Sequence, residues 1–402
     1  MSFLIAILGL ALLILIHEAG HFFGSLAVGL RPRRFYVGFP PALVKWNRNG
    51  IEYGVGAIPL GGFVTIPGMH RPIPYDADRR FAHAAEEAPG LVGPIDRVKR
   101  ALEATDLPAG MAALDDLELA LRERKLSPRA RSSAEKGLTE LRDALGDQAY
   151  WKAPTWKRLV AIMAGPGANI ALTLVLFAIL FTTVGGKPSQ TIASVAADSP
   201  AESAGLLAGD KVIAVDGQRV SGEGLGERIL GSEGKALVLT VVRDGNEVKV
   251  GPLRPMQTDG GYRIGIVREG LGLPPVDASW RAVEVTGIVT KEIVLSIGRL
   301  VTGQGREDVA SPIGITRVSS DAVQQGTANY LWVLGLVSLS IGLMNLLPLL
   351  PLDGGHVMFA LLEGARGRVL RREVYERASV VGIAVVVLLF FIGLTNDIGR
   401  LS

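Results

Sequence analysis

Two histidines and a glutamate carry the first chemical signal: Ile16-His17-Glu18-Ala19-Gly20-His21. His17 and His21 are four apart, so on a helix both imidazoles project from one face, about 6 Å from each other. That spacing suits two ligands of one zinc ion, and Glu18 beside them suits a base that activates water. In a soluble helix such a motif is as often a chance match as a site. Here it lies within residues 2–30, an apolar run with no charge before His17. Ionisable side chains are costly in hydrocarbon and mark function there. A satisfied polar cluster between helices is therefore the weaker reading.

A third ligand comes from far along the chain. An apolar run near residue 330 ends in NLLPLLPLDGGH, residues 345–356. Pro348 and Pro351 each remove a backbone donor and break the helix. Irregular backbone at membrane depth needs protein or a wet cavity around it. Asp353 is the only carboxylate in that neighbourhood and is the expected third ligand, with His356 a competitor three residues on. His, His, carboxylate and water form the open arrangement of catalytic zinc. Asn345, the broken run around Pro348 and Pro351, and Asn169 are candidates for binding an unwound substrate; Asn169, a polar group in lipid that needs a partner, serves equally well as glue between helices.

Positioning these residues falls to a membrane protein. Hydrophobic residues make up 48% of the 402, and four runs, 2–30, 159–184, 330–347 and 380–394, are long enough or nearly so to cross a bilayer. The first lacks the basic start and small-residue cleavage site of a signal peptide. Arginines at 31, 33 and 34, Lys157 and Arg158, and four arginines at 366–372 flank the spans. By the positive-inside rule these connections are cytoplasmic, which leaves both termini and residues 185–329 outside. His17 then lies about 24 Å along the first helix, within the membrane toward its cytoplasmic side. The net charge of +3 follows from such flanks, and no nucleic-acid partner is expected. With no cysteine, thiolate ligands and disulfides are excluded.

Between the spans the pattern changes. Residues 31–69 hold two β-prone runs around an Asn/Gly turn, read as a cytoplasmic-side hairpin with an edge open to an extended peptide. Residues 70–148 are charged and Ala/Leu-rich, read as a solvated helical hairpin with isolated His70 and His83. The second span, 155–185, contains Ala164-Gly-Pro-Gly-Ala-Asn169, small residues that permit close helix contact. Residues 188–256, with SPAESAGLLAGDKVIAVDGQRV in their middle, resemble a bacterial PDZ domain. Residues 276–302 read as an amphipathic helix with Trp280, Val283, Ile288, Val289 and Ile293 toward one side. The last spans fall at 330–356, with the Asp-Gly segment, and 378–396. The fold expected is a multi-pass α-helical membrane protein of about four transmembrane helices, with a membrane-associated β-hairpin and one inserted extracytoplasmic PDZ-like α+β domain.

HEAGH, YVGF, IEYGVGAIPLGGFV, WKRLVAIMAGPGAN, SPIGI and NLLPLLPLDGGH together resemble the site-2 protease family, in the bacterial branch that includes the regulator-of-sigma-E protease. The resemblance implies intramembrane peptide-bond hydrolysis at Zn2+, with His17, His21 and Asp353 as ligands and Glu18 as catalytic base. It implies as partners the lipid bilayer and single-span substrates pre-trimmed by a site-1 protease, such as membrane anti-sigma factors, or signal-peptide remnants. The expected location is the bacterial cytoplasmic membrane. The second proline of the late motif stands one place later than is usual in the family, and the insertion at 70–148 is longer. Two other classes compete. A non-catalytic PDZ-containing membrane receptor would not need Glu18, and a metal transporter would need ligands repeated along a path.

Overall fold

The computed structural model describes residues 1–258 and 261–400. The chain divides into two compact units. The first comprises Met1–Ala171, Arg299–Ser320 and Val337–Ser402, and the second Leu172–Gly298 and Asp321–Leu336.

The first unit opens with α1 (Ser2–Ala27), whose apolar side chains leave the helix as the one way to satisfy its backbone in lipid. Strands β1 (Arg34–Arg48) and β2 (Ile51–Thr65) follow. Arg48 pairs with Ile51 across Asn49 and Gly50, whose φ values of 52° and 78° are those of a two-residue hairpin turn. The hairpin then folds on itself. Residues 34–37 pair with 62–65 on one side and with 52–55 on the other, while 42–48 pair with 51–56. Two long strands thus make four rows, bent at Gly38 and Gly61, both at positive φ. The alternation in the sequence reveals the turn but not the second fold.

The insertion also differs from the simple helical hairpin expected. It contains four helices, α2 (Pro74–Glu87), α3 (Val92–Ala104), α4 (Leu107–Arg122) and α5 (Pro128–Leu145). Asp106 caps α4 by accepting from the Ala109 amide at 3.0 Å, and Ser127 caps α5 through Ala130 at 3.2 Å. Phe81, Leu91, Val98, Leu114 and Leu117 are fully buried among them. Each such side chain contributes about 1.5–3 kcal/mol, so these residues form a core of their own rather than a solvated pair. α6 (Thr155–Thr183) then begins in this unit and ends in the next.

In the second unit, β3 (Lys187–Val195), α7 (Pro200–Ser203), β4 (Lys211–Val215), β5 (Gln218–Arg219), α8 (Gly222–Leu230), β6 (Leu237–Arg243) and β7 (Asn246–Leu253) come in order. A short pair, β8 (Met256–Thr258) and β9 (Gly261–Arg263), precedes β10 (Ile266–Leu271). The main sheet runs β10-β3-β4-β6-β7 with β5 beside β4. Because β10 pairs with β3, the sheet extends to residue 271 rather than ending at 256. Ser199 caps α7 through the Glu202 amide at 3.2 Å, and Glu202 reaches back to the Asp198 amide at 2.7 Å.

α9 (Pro275–Val301) is the amphipathic helix, with Val289 the one member of the expected apolar side that packs inward. Its packed face is Ala278, Ala282 and Val285, with Val289, against Phe177 and Phe181 of α6. Trp280, Val283 and Ile288 are exposed. Small side chains let helices approach closely, so the alanines face the neighbour and the bulky apolar groups face outward. α10 (Pro312–Gln325), α11 (Thr327–Asn345), α12 (Asp353–Arg366) and α13 (Arg372–Gly399) complete the chain. Among the described residues α1, α6, α11 and α13 are long and apolar enough to cross a membrane. The SPIGI stretch starts α10, where buried Asp397 of α13 accepts from the amides of Ser311 (2.9 Å) and Gly314 (3.1 Å).

Candidate metal centre

His17 and His21 lie one turn apart on α1, their rings edge to face at 85°, and are buried, with 7% and 8% of their surfaces exposed. Their Nε2 atoms lie 3.2 Å apart. Asp353 Oδ2 is 3.1 Å from the first and 3.2 Å from the second. Ligands of a tetrahedral zinc at about 2.0–2.1 Å stand roughly 3.3 Å from one another, and this triangle has that size. Its chemistry agrees. His21 Nδ1 lies 3.1 Å from the Ala161 carbonyl, which requires the proton on Nδ1 and leaves the lone pair on Nε2. Asp353 Oδ2 is buried without a hydrogen bond. Lone pairs converging at such distances repel unless a cation lies between them, so the residues fit a divalent metal. The carbonyl contact is the outer-shell support that orients ligating histidines.

Several glycines make the arrangement possible. A Cβ on Gly20 would strike the Ala164 carbonyl, one on Gly24 the Ala164 side chain, and one on Gly165 the ring of His21. The small residues at 164–168 therefore let α6 lie directly against the metal motif. At the other end Asp353 begins α12, in the first turn, where the helix dipole favours a carboxylate. Side chains at Gly354 and Gly355 would strike the backbone of residues 346–350, and one at Gly382 of α13 the Leu350 carbonyl. The irregular segment containing Pro348 and Pro351 is thus packed against the start of α12 and against α13.

Glu18 stands apart from the triangle. A Cβ on Gly62 would lie 3.2 Å from its Cγ, and the Val64 amide faces its carboxylate. Residues 62–65 pair with 34–37 and, at Thr65, accept from the Arg33 amide; among the described residues they have no strand on their other side, and they run past Glu18 as a sheet edge. Asn169 is fully buried, and its carbonyl accepts from Ser338 Oγ of α11 at 2.9 Å. Asn345 Nδ2 donates to the Ile341 carbonyl of its own helix at 3.0 Å. His356 is not among the three residues gathered, which among the described residues form the one cluster of metal-ligating groups. Sequence reasoning marked Gly165 within a close-contact stretch, but missed Ala161, Gly382 and the buried pair of Arg158 and Glu363. The signal available for that pair was an isolated carboxylate, Glu363, within an apolar stretch.

A helix bearing HExxH against a glycine-lined second helix, with an aspartate from a proline-broken third segment, defines a membrane zinc metalloprotease of the site-2 protease type. The chain belongs to peptidase family M50, whose sequence profile matches residues 5–389. It is 29% identical over 412 residues to the zinc metalloprotease RasP of Geobacillus kaustophilus, covering 96% of this chain and 95% of that protein. A Rhizobium meliloti protein provisionally named a zinc metalloprotease is 31% identical over 418 residues, covering 98% of this chain and 95% of its own length. One from Agrobacterium fabrum, named in the same way, is 29% identical over 415 residues, with 98% and 95% covered.

Proposed function

We propose that His17, His21 and Asp353 hold the zinc and that Glu18 is the catalytic base of a protease cutting within transmembrane segments. The observation that carries the assignment is the triangle of ligand atoms 3.1–3.2 Å apart. Zinc held there supplies a Lewis acid and makes water a competent nucleophile near neutral pH. Glu18 accepts a proton from the attacking water at its carboxylate and returns it to the departing amide nitrogen. Ala161 keeps the His21 proton on Nδ1 throughout, so His21 stays a ligand and takes no part in proton transfer.

A substrate entering as a helix must unwind before attack. The edge at residues 62–65 passes Glu18 and is suited to pair with the freed backbone. The irregular segment around Pro348 and Pro351 would flank the other side. Asn345, tied to Ile341, would act only after releasing that bond, and Asn169 supports α11 rather than substrate. We assign as substrates single-span proteins already trimmed outside the membrane, anti-sigma-factor-like proteins or signal-peptide remnants, in the bacterial cytoplasmic membrane. The PDZ-like domain, 187–271, would lie outside, filtering untrimmed substrates by bulk, and the helical insertion inside.

The test is co-expression with trimmed single-span substrates, comparing wild type and Glu18→Gln while measuring bound zinc. Glu18→Gln is expected to keep its zinc and to lose cleavage by about 10²–10⁴-fold. Equal cleavage by both proteins would overturn Glu18 as the base, and cleavage by neither would favour the receptor reading.

A further inference from the structure

From the sequence Arg158 reads as a basic flank of the second span. It is instead buried, 6% exposed, and its Nη1 lies 2.5 Å from Oε2 of Glu363, itself 4% exposed. Glu363 Oε1 accepts from the Leu370 amide at 2.8 Å and from the Tyr375 hydroxyl at 3.2 Å. One carboxylate on α12 is thereby held by α6, by the connection after α12 and by α13. A buried ion pair often returns no more than its desolvation costs, so stability alone is a poor account of it.

Its place in the molecule offers a better one. Arg158 is one turn from Ala161, the residue whose carbonyl orients His21. Glu363 lies ten residues beyond Asp353 on the same helix, about 15 Å along its axis. Residues 158–161 therefore meet the histidine half of the centre at Ala161 and, at Glu363, the helix whose first turn carries Asp353. We propose that Arg158 and Glu363 are positioning residues that set the register of α12 against α6, and so the reach of Asp353 to His17 and His21. The inference rests on the ligand assignment above.

The test uses the full chain in detergent, with zinc affinity read by competition with a chromophoric chelator and unfolding followed in parallel. Two variants are compared, Glu363→Gln and the double variant Arg158→Met/Glu363→Met, since apolar replacement of a buried ion pair is often tolerated. Either variant, once folded, is expected to bind zinc about tenfold more weakly, no more than the loss of a group bonded directly to a ligand costs, and excess zinc restores part of the cleavage. A merely structural pair would shift the melting temperature and leave the affinity of the folded protein unchanged, and that result in the double variant overturns the proposal. His17→Ala is run alongside. If it binds zinc like wild type, the ligand assignment fails, which is a different outcome from failure of the positioning pair.

Discussion

Gly165→Ala is the sharpest probe of how the centre is built. A methyl group there would lie 2.5 Å from His21 Cε1 and 2.7 Å from Cδ2. Ordinary carbon contacts begin at about 3.5 Å, so the ring must retreat by roughly 1 Å or α6 must move away. Ring retreat strains the bond to Ala161 and opens the triangle, and helix retreat separates α1 from α6. Overpacking of this kind costs about 1–3 kcal/mol. A displacement near 1 Å at a catalytic group costs on the order of 100-fold in rate. Gly167→Ala is the control, because a Cβ at Gly167 meets nothing within 4 Å. Both variants are to be purified whole and assayed for zinc content and for cleavage of a single-span substrate. Gly165→Ala is expected to lose about two orders of magnitude in cleavage and Gly167→Ala to match wild type. Equal zinc content and equal cleavage in Gly165→Ala would refute the packing argument.

Two further outcomes follow from other parts of the molecule. Arg243 donates to both oxygens of Asp210 at 2.7 Å, and with the Leu207 amide it holds that carboxyl below the usual carboxylate range. A depressed folded-state pKa gives stability that is present above the unfolded value near 3.9 and lost as pH falls through the folded one. Thermal unfolding of the sheet domain should therefore show wild type above Asp210→Asn by about 1–2 kcal/mol at pH 7, with the gap closing below about pH 4. Asp397→Ala removes the acceptor for two amides at the start of α10. It should lower stability by about 0.5–2 kcal/mol while zinc affinity, measured by chelator competition, stays unchanged.

The four apolar helices were legible because hydropathy in lipid leaves little else to decide. The triad of His17, His21 and Asp353 could be picked out because each is a polar residue that an apolar stretch does not explain. What escaped depends on contacts between distant segments. The alternation in β1 and β2 points to a hairpin, but only the bends at Gly38 and Gly61 show that residues 34–37 lie between two partners. The apolar side of α9 could be read from its bulky side chains, but not the opposite contact made by Ala278 and Ala282. Arg158 illustrates the limit best. A flanking arginine and a buried one look alike until the carboxylate 205 positions away is placed beside it.

His17 and Asp353 are 336 positions apart in the chain, and that separation has a bearing on how the enzyme is born. At ribosomal speeds of about 5–20 residues per second, the aspartate emerges roughly 20–70 seconds after the histidine. For that interval the opening helix is already in the bilayer with half a centre and nothing to close it. On the proposed ligand set the growing polypeptide is inert toward its neighbours, and the capacity to cut arrives only once Asp353 has emerged.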